Sequence, residues 1–366
     1  MKSVYILADG LSENTARETS LEQTDHRNLD ILHSSGTSFL FEPVQAKNMF
    51  HPATYYIFPF FFGLRPERNP GRAALELYEN GIDISRFNSF AVFRVINTQY
   101  DVRRGWYEKT ESLPLDLVSR IISRVGKEKY LDALSSVIVK SRISHNIWCI
   151  GSETEDSLEF MLNTLPYEFS QHGFNVYPTL ISNISAPVAI ERGDCARKEV
   201  LGWMVGPTEQ AFRLLGFVTD RQKCHTPDYV FDFENKFGDF QLRVLPAILQ
   251  AAEDSVLIIY VKETSSAAKK NYPEKKKQAI GFIDRMVGEM LVALQGTETN
   301  IIIISDHQSN IGVPYVYPGP SLACVYNTRN HEDRGFLPFT ERNIGNRIEK
   351  VLSQEECVEA IKRIVG

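Results

Sequence analysis

Three short and almost wholly apolar runs constrain this chain most: Val4 to Ala8, Val256 to Val261 and Ile301 to Ile304. Runs of this length without polar alternation fit strands buried on both faces, which belong to parallel sheets covered by helices. Helical spacing lies between them. Phe240 to Ala252 reads as a helix, and Pro273 to Leu294 as a long amphipathic one. Thr208 to Leu215 is a further helix ending at Gly216, Leu322 to Tyr326 a further strand, and Ser353 to Ile364 a closing helix. The regular alternation from Val188 onward predicts an α/β fold, a mostly parallel sheet with helices on both faces.

The first half is less regular. Leu21 to Ser35 has helical spacing at Leu29, Ile31 and Leu32, and Gly36 is a C-terminal stop. Ala73 to Asn80 reads as a short helix stopped by Gly81, Leu115 to Ser136 as a longer one, and Glu155 to Leu165 as a third. Asn88 to Asn97, Ser136 to Lys140 and Asn146 to Ile150 read as strands. The lysines at 275, 276 and 277 read as a solvated helix start.

A length of 366 residues allows two domains. The net charge of -6 excludes broad nonspecific nucleic-acid binding. The most apolar stretch, Tyr55 to Leu64, is about half of the roughly 20 residues that a membrane span needs. It fits a buried core element or an apolar interface patch. Five scattered cysteines, Cys149, Cys195, Cys224, Cys324 and Cys357, have no metal-binding spacing and read as reduced thiols of a cytoplasmic protein. Neither a membrane nor a nucleic-acid partner is expected.

Asp9 follows the first apolar run, and Asp306-His307 follows the isoleucine run. In a parallel sheet, ligands bind beyond the carboxyl ends of the strands. Two carboxylates and an imidazole meeting there suit manganese or zinc better than calcium. The alternative is that the aspartates cap strand ends and the histidine packs.

An ordered series of motifs widens this reading. Pro52-Ala53-Thr54 precedes Phe62-Gly63-Leu64, then Pro70-Gly71-Arg72, Glu76 and Gly81-Ile82-Asp83. Ser20-Leu21-Glu22, Asn28-Leu29-Asp30, Phe93-Arg94, His145, Glu191-Arg192-Gly193, Arg213-Leu214-Leu215-Gly216 and Ser305-Asp306-His307 continue it. Together they resemble the archaeal-type cofactor-independent phosphoglycerate mutases of the alkaline phosphatase superfamily. The resemblance implies an alkaline-phosphatase-like core over residues 1–88 and 190–366, with a smaller substrate or lid domain inserted at 89–189.

The resemblance also implies a metal-assisted phosphoryl transfer. One divalent cation would lie at Asp9, Thr54, Asp306 and His307, with Thr54 as nucleophile in place of the family's serine. Arg72, Arg94, His145 and Arg192 would hold a small anionic substrate, a phosphate or phosphonate. The ligands of the family's second metal fall at Ser265, Lys269 and Val316, none of which is a carboxylate or an imidazole. A second cation is therefore not expected, and Lys269 could supply a charge in its place. The expected activity is of phosphatase or phosphomutase type, and glycolytic mutase activity is not expected. The alternative is an inactive or repurposed relative.

Overall fold

The three apolar runs lie side by side at the centre of one sheet, because each can bury both of its faces only under helices. The computed structural model describes residues 1–11, 26–43, 57–64, 71–96, 98–102, 105–108, 115–128, 136–141, 147–183, 199–200, 212–213, 215–219, 231–269, 271–309, 319–329, 339–345 and 350–366. In chain order its elements are β1 (Lys2–Ala8), α1 (Arg27–Ser35), β2 (Thr37–Glu42), α2 (Phe58–Phe61), α3 (Gly71–Glu79), β3 (Ser89–Ile96), β4 (Thr98–Asp101) and β5 (Gly105–Glu108). Then come α4 (Leu115–Glu128), β6 (Ser136–Lys140), β7 (Ile147–Ser152), α5 (Glu155–Ser170), β8 (Asn175–Asn183), β9 (Glu199–Val200), β10 (Val218–Thr219), α6 (Phe233–Asp239) and α7 (Leu245–Gln250). The chain closes with β11 (Val256–Val261), α8 (Glu263–Lys269), α9 (Pro273–Ala293), β12 (Thr299–Ser305), β13 (Ser321–Asn327), α10 (Glu341–Gly345), β14 (Leu352–Ser353) and α11 (Gln354–Val365).

Contacts divide the chain into two compact units, residues 1–66 with 192–366, and residues 67–191. The first unit holds a sheet ordered β10-β9-β11-β1-β12-β13-β2-β14 among the described residues. Strand β1 runs parallel to both β11 and β12, and Ala8 pairs with Val261 on one side and Ser305 on the other. Strand β13 is the reversed one, antiparallel to β12 and β2, so the sheet is mixed but mostly parallel, as predicted. Every residue of β12 is buried. Its four isoleucines each contribute about 1.5–3 kcal/mol of burial, which keeps this strand central.

Helix α1 has no side-chain cap of its own at His26. Its free amides are met from α9 instead: Asp284 Oδ1 accepts from Asn28 N at 2.8 Å and Leu29 N at 2.9 Å. That distant cap places the start at Arg27, whereas the spacing predicted Leu21 and the segment 21–25 lies outside the described residues. The helix predicted over 240–252 is part of a longer arrangement. A π-helical turn spans Phe240–Val244, and an α-helical segment with Pro246 in its first turn follows. Proline has no amide and crowds the carbonyl four residues earlier, and a widened turn absorbs that conflict. Of the Tyr55–Leu64 stretch, Phe58, Pro59, Phe60 and Phe61 are all buried, which matches the core reading.

The second unit is built on an antiparallel sheet ordered β6-β7-β3-β8. On it, Phe93, Trp148, Ile150, Leu158, Leu165 and Phe169 form one core cluster. A second cluster gathers Ala73, Ala74, Leu77, Phe87, Phe90 and Cys149, so α3 belongs to this unit. Helix α5 runs through Pro166 to Ser170 instead of stopping at Leu165, because Leu165 and Phe169 on either side of the proline are both buried. No helix among the described residues is long and apolar enough to cross a membrane.

Cys149, Cys324 and Cys357 are buried free thiols. Burial pushes Cys324 and Cys357 from 9.0 up to about 12, and raises Cys149 as well. Burial likewise raises the Tyr5 hydroxyl from 10.0 to about 12. A group whose folded pKa is raised stabilises the fold fully below its unfolded pKa, and that contribution is lost as pH rises towards the folded value. Stability should therefore fall above pH 9, by about 1.4 kcal/mol per pH unit for each fully buried thiol. Urea midpoints at pH 8, 9.5 and 10.5 would read this, and an unchanged midpoint would contradict it.

Candidate metal centre

The register of the central strands brings three backbone ends together. Ala8 stands level with Val261 and Ser305, so Asp9, Lys262 and Asp306 follow at the same edge of the sheet. Asp9 N continues the ladder by donating to Val261 O at 2.8 Å. Gly10 then turns in the left-handed region at φ +72°, where a Cβ would sit 2.7 Å from Ser309 Oγ. This close turn lets Gly10 N donate to Asp306 Oδ1 at 3.0 Å, which ties the β1 end to the β12 end.

Asp9, Asp306 and His307 converge with their ligand atoms within 4.8 Å of one another. All three are buried, at 1%, 0% and 3% exposure. His307 Nδ1 lies 2.8 Å from Asp306 Oδ1 and 3.5 Å from Asp9 Oδ1. Asp306 Oδ2 is buried without a hydrogen-bond partner among the described residues. Burial holds the Asp306 carboxyl above its usual range; His307 opposes this, and the Asp9 charge adds to it. Two carboxylates out of water strongly favour a compensating cation. The donor set of two carboxylates and one imidazole fits a manganese-like or zinc-like ion.

Neighbouring groups prepare this cluster. The Tyr260 hydroxyl donates to Asp9 Oδ2 at 2.9 Å. Ser265 N donates to Asp9 O at 3.0 Å, the Thr264 hydroxyl bonds the same carbonyl, and Ser265 Oγ lies 3.3 Å from His307 Nε2. Ser309 Oγ donates to Gly10 O at 2.7 Å, and Lys276 Nζ donates to Ser309 O at 2.6 Å. Lys276 is 0% exposed, which corrects the reading of the lysine run as wholly solvated. One lysine of the three turns inward because α9 packs its first turns against the loop after His307. Lys275 and Lys277 pair locally with Gln278 and Glu274.

The other predicted site residues are distributed as follows. Thr54, His145, Arg192 and Val316 lie outside the described residues. Lys269 is the last residue of α8, and Ser265, at the position matched to a family carboxylate, is buried in that helix. Glu263 forms an ion pair with Lys236. Arg72 Nε donates to the buried Glu76 at 3.1 Å, and Ser141 Oγ donates to the same carboxylate oxygen at 2.8 Å. Arg94 is exposed on β3. Tyr260, Ser309 and Lys276 were not singled out as site residues from the sequence. The one signal for Tyr260 was a hydroxyl within an otherwise aliphatic strand.

No protein-family model and no curated protein matches the sequence. Solved structures do match. The PH0037 protein from Pyrococcus horikoshii superimposes with a TM-score of 0.66 at 17% identity, over 98% of this chain and 96% of that one. The cofactor-independent phosphoglycerate mutase from Thermoplasma acidophilum superimposes with a TM-score of 0.52 at 14% identity, over 100% of both chains. The family resemblance carried by the motif order is thus matched in three dimensions, and the chain shares its fold along its whole length with a cofactor-independent phosphoglycerate mutase.

Proposed function

We infer that this chain is a metal-assisted phosphoryl-transfer enzyme of phosphatase or phosphomutase type, acting on a small anionic substrate. The observation that supports this best is the buried convergence of Asp9, Asp306 and His307, with Asp306 Oδ2 lacking a hydrogen-bond partner among the described residues. When bound there, a divalent cation supplies positive charge for an attacking hydroxyl and a phosphoryl oxygen. Asp9, Asp306 and His307 are the side chains that would hold it. Thr54 is proposed as the nucleophile: its oxygen bonds to phosphorus as the substrate's ester P–O bond breaks, its proton ends on the departing alcohol oxygen, and water or an acceptor hydroxyl then takes the phosphoryl group and restores the Thr54 hydroxyl. Arg72, Arg94, His145 and Arg192 are proposed to bind the substrate's anionic groups, and Lys269 to add charge. The buried thiols favour a reducing, cytoplasmic setting.

The test is hydrolysis of p-nitrophenyl phosphate by Mn-loaded wild type and Thr54→Ala. Thr54→Ala should lower kcat by at least about a hundredfold with little change in KM, as loss of a group used in the transition state does. Equal rates would remove Thr54 from the mechanism. A second reading, a binding protein without turnover, is favoured by Ser265, which takes the position of a carboxylate ligand of the family's second metal and contacts His307. It predicts that wild type takes up the cation and hydrolyses no phosphate ester.

A further inference from the structure

We propose that Tyr260 and Ser265 are positioning residues of the metal centre. Tyr260 would restrict Asp9 to a single ligand oxygen, and Ser265 would hold the His307 ring. This rests on the one-cation reading above and adds the residues that aim its ligands.

Strand β11 and the start of α8 give no carboxylate and no imidazole to the cluster. They nevertheless touch it through Tyr260, Val261, Thr264 and Ser265. Tyr260 is 1% exposed, and its ring meets Phe58 edge-on at 5.9 Å and 74°, so the hydroxyl has a fixed direction. That direction is Asp9 Oδ2, at 2.9 Å. The phenol N-terminal to the strand end thus occupies one carboxylate oxygen, while Oδ1 faces His307 Nδ1 at 3.5 Å. One turn later, the Ser265 amide is anchored on the Asp9 carbonyl at 3.0 Å. From that anchor Ser265 Oγ reaches Nε2 of His307 at 3.3 Å, while Nδ1 faces Asp306 Oδ1 at 2.8 Å. The ring therefore has a polar neighbour at each nitrogen, which sets its orientation.

A carboxylate held on one oxygen by a neutral donor keeps its charge for the cation and loses the freedom to bind it through both oxygens. Two hydroxyls add no charge to a site that already holds two buried carboxylates. Ser265 also packs closely against the turn after Asp9, since a Cβ at Gly10 would stand 3.0 Å from Ser265 Cβ.

The full-length protein, stripped of metal, is titrated with Mn2+ and with Zn2+ by calorimetry beside Tyr260→Phe, Ser265→Ala and Asp306→Ala. Tyr260→Phe keeps the ring and removes only the hydroxyl. It should bind one ion with a Kd raised about ten- to a hundredfold, as loss of a ligand's supporting partner does. Its Mn2+ electron paramagnetic resonance spectrum should differ from wild type, since Asp9 Oδ2 loses the Tyr260 hydroxyl. Wild-type Kd and spectrum in Tyr260→Phe would overturn the proposal while leaving the one-cation reading intact. A wild type that binds neither ion would overturn both. If Tyr260→Phe does not fold, Ser265→Ala decides: a Kd raised about tenfold supports the positioning role, and an unchanged Kd overturns it.

Discussion

Asp306→Asn should abolish metal binding and leave the metal-free protein as stable as wild type, or more so. Asparagine keeps the shape and the oxygen that accepts from Gly10 N, and so preserves the tie between the β1 and β12 ends. It cannot carry the charge that burial already disfavours at this position. Affinity for Mn2+ or Zn2+ should fall by more than about a hundredfold, beyond the effect of residues that only support a ligand. Thermal melts check this directly. At a metal concentration about 100 times Kd, binding stabilises wild type by about 2.7 kcal/mol. The Asp306→Asn melt should not move with metal. A metal-dependent rise equal to that of wild type would show that the ion binds elsewhere.

Gly36→Ala should be the most damaging methyl addition among the described glycines of the first unit. Gly36 joins the end of α1 to the start of β2 with no intervening residue. Its φ of -110° is open to any residue, so conformation is not the constraint. Space is: a Cβ would stand 2.5 Å from Leu32 O and 2.5 Å from Val325 O. Both are backbone atoms, one in the helix and one in the paired strand β13, and neither can move without breaking a ladder. The expected loss is about 3 kcal/mol, at the upper end of overpacking effects. Gly281→Ala is the matched control. It lies inside α9, where a Cβ would meet nothing within 4 Å, so the same methyl should stabilise by up to about 1 kcal/mol through helix propensity. Urea midpoints of the two variants should shift in opposite directions. Two equal shifts would contradict the steric argument. The helix stops at Gly36 as the sequence predicted, with extended backbone there.

Local pattern made the central strands legible because each fully apolar run has one low-energy environment, the interior of a covered sheet. It failed where neighbours compensate for a local defect. Strand β8 contains Pro178, which argues against a strand, but among the described residues β8 is an edge of its sheet, where proline is tolerated, and its register with β3 shifts beside the proline. Helix α5 crosses Pro166 because burial on both sides outweighs one lost hydrogen bond. Strand β2 was not predicted at all. Only three residues of Thr37–Glu42 are large and apolar or nearly so in pattern, and its place is set by pairing with β13, nearly 290 residues further along.

The sequence by itself determined the central strands and the long helices between them, the alternation that builds the mostly parallel sheet, and the positions of Asp9, Asp306 and His307 just beyond strand ends. These depend on nearest-neighbour periodicity, which a linear chain displays. The tertiary structure decided which groups surround those ligands. The Tyr260 hydroxyl reaches Asp9 across 251 positions of sequence, and Gly10 reaches Asp306 across 296. Lys276 is indistinguishable from its lysine neighbours until α9 packs and turns it beneath Ser309. Register between distant strands creates such contacts, and that register is set by packing of the whole sheet, which no local pattern records.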